Sequence, residues 1–487
     1  MSLLNSLYSA QSGILAAQTQ IDVASRNIAN ASTENYTRKI QNQSSRVVDG
    51  RAGLVVIEEV QRNINLQLQR DVINQTSLTD RLEVIDDFLG RFELQFGRPE
   101  DDSSLSAKIT ALKDSFQALA SNPDQSTAQA DVLRAAEEVA RSFNTLSDNI
   151  QSLRQEADAR IEDSVANIQE ALDNIEALNG EIGARQSVGQ STADLEDQRD
   201  VWVAQLSSEM DVQTFRRPDG QLAILTGSSQ FLLDQEPVTV NFTPAGTVSP
   251  DLALGAITIT NAFGGTVDIT ASITQGKLGG LLDLRDTILP EAQDQIDSLA
   301  FELAQQFDTI TVGGNTAPLQ LFTAPANTPP ANPTAAEAVP VGDQGYSAVM
   351  QVRTNLTGTE LRDSDGTGTF VVNGDGDASL PLAILDMFEA KQAYVAVNGL
   401  NTTAATLEEF AAQFIGYQAN QKADFQSQFG FQDEVRNLLD ERLKDQGSVN
   451  IDEELANLIQ LEAAFAASAR VLTSVQRSID ELLRAVA

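Results

Sequence analysis

Met1-Ser-Leu-Leu-Asn-Ser-Leu7-Tyr-Ser-Ala10-Gln-Ser-Gly13-Ile14-Leu-Ala-Ala17-Gln-Thr-Gln-Ile21-Asp-Val-Ala24-Ser-Arg-Asn-Ile28 opens the chain with an apolar residue at every seventh position. Leu7, Ile14, Ile21 and Ile28 make one row, and Leu3, Ala10, Ala17 and Ala24 make the complementary one. A seven-residue apolar repeat draws a narrow stripe along a helix, and only another helix can bury it. The end of the chain repeats the pattern through Ile451, Leu458, Phe465, Leu472, Ile479 and Val486, partnered by Leu461, Val475 and Leu482. The middle does not. Matching stripes at both ends predict that the termini pack on each other or on copies of themselves. The expected assembly interface is therefore Leu7, Ile14, Ile21, Ile28, Leu458, Phe465, Leu472 and Ile479. Small residues at Ala16, Ala17, Ala463, Ala464 and Ala467 allow close helix approach. They also leave such a helix little core of its own before it assembles.

The chain has 487 residues, no Cys and no His. Disulfides, thiolate nucleophiles, the usual zinc sites and Ser-His-Asp catalysis are thereby excluded. Asn5, Ser9, Gln11 and Ser12 interrupt any apolar signal-peptide core, and no run approaches the ~18 apolar residues of a membrane span. Net charge is −37 and unevenly placed. Residues 1–50 carry +1 and residues 448–487 carry −3, so the middle 397 residues hold −35. Such a field repels nucleic acid and anionic lipid, and neither is expected as a partner. Near-neutral ends can pack densely while the acidic middle faces water.

The pattern along the chain predicts an α+β, elongated, multi-domain rod. Asn30 is the expected left-handed end of the first helix, and extended segments surround the Asp49-Gly50 turn signal. Helical periodicity runs from Ile64 to about Met210, with breaks at Gly97-Arg98-Pro99 and Asn122-Pro123-Asp124. Residues 128–179 read as one long helix. Short β runs follow at Leu222–Leu225, Phe231–Leu233, Val238–Val240 and Ile257–Ile259, and helix returns from Leu278 to Ile310. Residues 311–345 hold six of the fourteen prolines. Further β segments are expected at Tyr346-Ser-Ala-Val349 and Thr369–Val372. Helix resumes near Leu385 and again over 404–446, where Phe410, Phe414, Tyr417, Phe425, Phe429, Val435, Leu438, Leu439 and Leu443 mark a core face. The expected domains are a terminal helical assembly unit (1–50 with 448–487), a helical rod (51–211 with 278–310 and 385–447), a β-rich domain (212–277) and a Pro-rich entry with a variable β insertion (311–384).

Catalysis would have to rest on carboxylates, hydroxyls, Lys or Arg, and no catalytic residue, cofactor site or metal site is expected. Asp194-Leu-Glu-Asp197-Gln-Arg199-Asp200 is the densest acidic cluster. It reads as a helix start with acids at the positive dipole end and Arg199 in local ion pairs. Asp363-Ser-Asp365-Gly and Asn373-Gly-Asp-Gly-Asp377 lack the spacing of a calcium loop and read as turns.

The opening Met1–Gly13, Ser25-Arg-Asn-Ile-Ala-Asn30 and Thr33-Glu-Asn-Tyr36-Thr-Arg38 resembles the N-terminus of bacterial flagellar axial proteins, and Gly447–Leu455 through Ala469–Leu472 is similar to their C-terminus. The family pattern Asn-x-x-Thr-Pro-Gly-Tyr keeps Asn30, Thr33 and Tyr36 here, preceded by Asn27, with Glu34-Asn35 in place of Pro-Gly. Asp194–Asp200 and Gly279-Gly-Leu-Leu-Asp-Leu-Arg285 narrow the resemblance to the hook-associated branch. A hook or distal rod subunit of the same family is the alternative, and a secreted surface adhesin or enzyme a more distant one. The resemblance implies a structural adaptor between hook and filament, secreted without a cleaved signal through the flagellar type III channel. It further implies a ring of self-contacting subunits outside the cell, touching the hook protein and a second hook–filament junction protein. An export chaperone would bind the C-terminal helix, 451–486.

Overall fold

The computed structural model describes residues 3–48, 51–96, 103–310, 319–325, 345–362, 376–400 and 404–486. Eleven helices lie among them: α1 (Leu3–Ala29), α2 (Leu66–Phe96), α3 (Leu105–Ser121), α4 (Ser126–Ser187), α5 (Ala193–Glu209), α6 (Gly276–Asp283), α7 (Leu289–Thr309), α8 (Tyr346–Val349), α9 (Ser379–Glu389), α10 (Leu407–Gly447) and α11 (Ile451–Val486). The expected breaks at 97–99, the Thr369–Val372 strand, the Asp363–Asp365 turn and most of the Pro-rich stretch lie outside the described residues.

The body is organised by α4, whose 62 residues span ~93 Å at 1.5 Å per residue. Its apolar positions recur at helical spacing, and Val132, Val139, Phe143, Ile150, Ile161, Ile168, Leu172 and Ile175 are all buried. Around it α2, α3, α5, α6, α7, α9 and the first half of α10 close a continuous core that includes Phe88, Phe92, Phe116, Phe301, Phe307, Phe388, Phe410 and Phe414. Ser104 caps α3 by accepting from the Ala107 N–H at 3.2 Å. Thr406 and Glu409 form a reciprocal capping box that starts α10. The second half of α10 packs along α2. Its seam follows Phe425, Phe429, Gln432, Arg436, Leu439 and Leu443, with Gln75 donating to Gln432 Oε1 at 2.8 Å and Arg436 paired to Asp80 at 3.0 Å. Leu438, expected on the core face, falls off this narrow two-helix seam and is exposed.

Between α6 and α7 the helix widens into one π turn, Leu284–Ile288. Pro290 follows at the first turn of α7 and lacks the N–H that would close on the carbonyl four residues back, which removes one regular bond where the ladder shifts. The turn places Arg285 in the core. Its NH1 donates to Asp158 Oδ1 at 2.9 Å and to the Gly255 carbonyl at 3.0 Å, while Asp158 Oδ2 accepts from the Ala245 N–H at 2.6 Å. Gly280 faces the Arg81 carbonyl so closely that a Cβ there would lie 2.7 Å from it. The Gly279–Arg285 stretch thus holds α6 against α2 and ties the loop 242–255 to α4.

Near the N-terminus β1 (Lys39–Ile40) pairs with β4 (Gln61–Arg62), and β2 (Gln43–Val48) with β3 (Arg51–Ile57) in an antiparallel hairpin over α1. The β-rich region is two antiparallel three-stranded sheets: β5 (Val212–Arg216), β6 (Leu222–Thr226) and β7 (Phe231–Leu233), then β8 (Thr239–Asn241), β9 (Thr258–Thr260) and β10 (Thr266–Asp268), with β9 central. A short pair, β11 (Phe322–Thr323) with β12 (Gln351–Val352), completes the strands. Tyr346–Val349, expected as a strand, is the helical turn α8. Gly345 takes φ +82°, and the Asp297 carboxylate accepts from the Gly345 N–H at 2.7 Å and the Ser347 N–H at 2.9 Å. That buried acceptor curls the chain. Asp377 likewise accepts from the Ser379 N–H at 2.9 Å and opens α9.

Candidate assembly interface

The terminal helices pair with each other inside one chain. They run antiparallel: Gly13 faces Ser468, and the arm beyond the C-terminal end of α1 reaches Glu454 in the first turn of α11. Ala10, Ala16, Ala17 and Ala24 are the fully buried α1 side chains of this seam besides Asn27, and Val475 answers from α11. Leu7, Ile14, Ile21, Ile28, Leu458, Phe465, Leu472 and Ile479 are all half-buried, forming the flanks of the seam. Tyr8, Leu15, Leu455, Ile459, Leu482 and Leu483 stay in solvent. None of the seam residues belongs to the hydrophobic core of the body. By length and composition alone the α10–α11 stretch is apolar enough to cross a membrane, although Gln460, Glu462, Ser468 and Arg470 interrupt its apolar residues.

After α1 the chain is turned back by the polar motif. Asn27 is 1% exposed; its Nδ2 donates to the Lys39 carbonyl and its Oδ1 accepts from the Lys39 N–H, both at 2.9 Å. The Tyr36 hydroxyl donates to the same Oδ1 at 3.0 Å. Burial first, then Asp194 and Asp197, push the Tyr36 phenol up to about 12, so it stays a donor. Asn30 is not left-handed: its Nδ2 donates to the Arg26 carbonyl at 3.0 Å, and Thr33 Oγ1 donates to Asn30 Oδ1 at 3.3 Å. The left-handed residue is Asn35, at φ +60°. Asn tolerates that region better than most side chains, so Glu34-Asn35 makes the bend that Pro-Gly makes in the family pattern.

The arm then meets the body through charge. The Lys39 ammonium bonds Asp197 and lies 4.6 Å from the Tyr36 ring centre. Thr37 Oγ1 donates to Asp197 Oδ1 at 2.6 Å. Arg62 reaches Glu196 at 3.0 Å, Asp197 at 3.2 Å and Asp200 at 2.5 Å, and Arg216 reaches Glu196 at 2.5 Å. Burial alone would raise the Glu196 carboxyl, but Arg62, Arg216, Thr192 and Arg199 together hold it below its ordinary value. Burial also opposes the Arg62 charge, and Asp200, Glu196 and Asp197 outweigh it. The Asp194–Asp200 stretch is the expected helix start, with Asp194 and Glu196 in the first turn of α5, and its buried acids also form a joint between the terminal unit and the body. Arg199 is not in local ion pairs; its NH1 donates to Asn179 Oδ1 and the Gly220 carbonyl, each at 2.9 Å. Lys39, Arg62 and Arg216 were not legible as partners, because their pairing depends on distant elements meeting.

Three protein-family models match along the chain. One described as the flagellar hook-associated protein FlgK helical domain covers residues 92–318, from the end of α2 through α7. Those for flagella basal body rod protein and for the flagellar basal body rod FlgEFG protein C-terminal region cover residues 7–37 and 448–485, the two sides of the terminal seam. Flagellar hook-associated protein 1 of Bacillus subtilis is 21% identical over 98% of this chain and 97% of its own length. Flagellar hook-associated protein 1 of Escherichia coli is 25% identical over 99% of each.

Over nearly its whole length the chain is similar to flagellar hook-associated protein 1.

Flagellar hook-associated protein 1 of Salmonella typhimurium is 28% identical over 61% of this chain and 55% of its own. A solved structure of the flagellar hook junction protein FlgK from Burkholderia pseudomallei aligns with a TM-score of 0.46 at 24% identity, covering 52% of this chain and 46% of that one. These matches make the chain a component of the bacterial flagellum that assembles with other axial components.

Proposed function

We propose that this chain is a structural adaptor, not an enzyme, that joins hook to filament by assembling through its terminal helices. The observation that supports this best is the α1–α11 pair. It buries one stripe within the chain, stands outside the core of the body, and leaves Tyr8, Leu15, Leu455, Ile459, Leu482 and Leu483 for neighbours. A ring of such subunits would place these helices at the crowded centre and the acidic body and sheets in water. On this reading the chain leaves the cell through the flagellar type III channel and acts outside the cell. It contacts the hook protein on one side and a second junction protein on the other. Before export, the apolar flank of α11 is the surface a chaperone would cover. The test is Ile21→Asp or Leu472→Asp in the full chain, with antibody labelling of isolated hook–basal bodies. The body should fold normally and the label should vanish from the distal end of the hook. Normal labelling and normal motility would refute the proposal.

A further inference from the structure

A cavity of about 60 Å³ lies between α2, α5 and the β5–β6 hairpin, several times the ~10–15 Å³ that one water requires. Leu66, Ile73, Val203 and Leu222 give it an apolar floor. Arg62, Arg70, Arg199 and Arg216 are among its lining residues, with Asp200 the one lining carboxylate. In a chain of 69 acids and 32 bases that wall is the reverse of the surrounding surface. Asp200 is already engaged by Arg62 at 2.5 Å and Gln69 at 2.6 Å, and Arg216 is held by Glu196.

Arg199 and Arg70 are left without such a partner. Arg199 is 2% exposed, bonds only neutral acceptors, and its buried Nε has no hydrogen-bond partner. A buried guanidinium lacking a close counter-charge is strongly destabilising. Arg62 and Arg216 add to that strain: burial and their positive charges pull the Arg199 guanidinium below its ordinary value, although Asp200 and Glu196 oppose them. Arg70 is exposed on the cavity wall and makes no ion pair among the described residues.

We propose that this cavity binds a carboxylate on a short aliphatic stem, supplied in the assembled protein by an acidic side chain of a neighbouring copy of the chain. The apolar lining takes the stem, while the exposed Arg70 takes the oxygens in charge-assisted hydrogen bonds, and the buried Arg199 guanidinium gains the carboxylate as a nearby counter-charge. Charge complementarity argues for the source, since a second copy offers carboxylates over most of its surface. That half of the inference rests on the assembly reading above. A carboxylate seated here would bridge α2, α5 and β5 beside the Arg62–Asp197 joint, so that docking of a neighbour would stiffen the connection between terminal unit and body.

The site is tested on the unassembled full-length protein by thermal unfolding in sodium butyrate and, at equal ionic strength, sodium chloride. Butyrate is expected to raise Tm saturably by about two degrees where chloride does not. Arg70→Gln, an exposed position, should weaken the apparent affinity roughly ten-fold. Equal effects of the two salts, or an unchanged response in Arg70→Gln, would overturn the site. The source is read separately by a photo-crosslinking side chain at position 70 in flagellated cells. A two-copy adduct joined at an Asp- or Glu-bearing segment supports it, and the absence of a two-copy adduct overturns it. Since the butyrate measurement needs no assembly, its outcome is independent of the junction reading.

Discussion

Arg38 Nε donates to Glu454 Oε1 at 2.6 Å, joining residues 416 positions apart, and the Glu454 side chain is only 2% exposed. Arg38 is also threaded through the fold by its backbone. Its N–H donates to the Gly447 carbonyl and its carbonyl accepts from the Asn63 N–H, both at 2.8 Å. Glu454→Ala leaves Arg38 with only Glu453, at 3.6 Å. The expected cost is about 2 kcal/mol, confined to the terminal unit. Limited proteolysis should cut α1 and α11 earlier while the unfolding of the body is unchanged; equal susceptibility to wild type would refute this.

Asp197 accepts from Lys39, Thr37 and Arg62 at once. Asp197→Ala strands the buried Lys39 ammonium, while Arg62 keeps Glu196 and Asp200, and should cost about 3 kcal/mol in denaturant unfolding. Adding Lys39→Met to that variant removes the stranded charge, so the double change should be less costly than additivity predicts. Additive losses would mean the pair is not coupled.

Gly13 marks the closest approach of the terminal helices for which a side chain can be tested. A Cβ there would lie 3.1 Å from Ser468 Oγ, the end of a side chain that can turn away. Gly13→Ala is therefore expected to change stability by less than about 1 kcal/mol, helped by its helix propensity. Gly13→Leu should splay the seam and cost about 1–3 kcal/mol, read as loss of helical signal from the terminal unit alone.

Two carboxyls work against stability at neutral pH. Burial pushes both Asp297 and Asp308 up to about 6 from an ordinary 3.8, with donors from Ser347, Gly345 and Gln293 restraining Asp297. A folded value above the unfolded one gives a contribution that is complete below about pH 4 and is lost as pH rises through 6. Glu196 has the opposite sign: its depressed folded value contributes above its unfolded value, and the contribution is lost as pH falls through the folded one. Asp308 Oδ1 is buried without a partner. Asp308→Asn should therefore stabilise the protein at pH 8 by about 1 kcal/mol, after discounting for solvent screening, and change nothing at pH 4. A pH-independent effect would rule out titration as the cause.

Much of the architecture was written in periodicity. The heptads at Leu7–Ile28 and Leu458–Ile479 are local patterns, and so is the helical repeat of α4. Tyr346–Val349 escaped because its conformation is set by Asp297, some fifty positions earlier. Asn35 escaped because the turn it makes looks, in letters, like a loss of Pro-Gly. The Asp194–Asp200 run was conspicuous, yet its role lay in Lys39, Arg62 and Arg216, which reach it only after the chain has folded. Periodicity reports which face is buried; it does not report which charges will be buried together.

The antiparallel seam has a consequence for how the chain is made. α1 is synthesised well before α11, so it has no partner until α11 has been added. A prematurely ended chain could fold its body and still present an unmatched first helix. The subunit thereby carries a check on whether α11 has been made, passed only when that helix arrives.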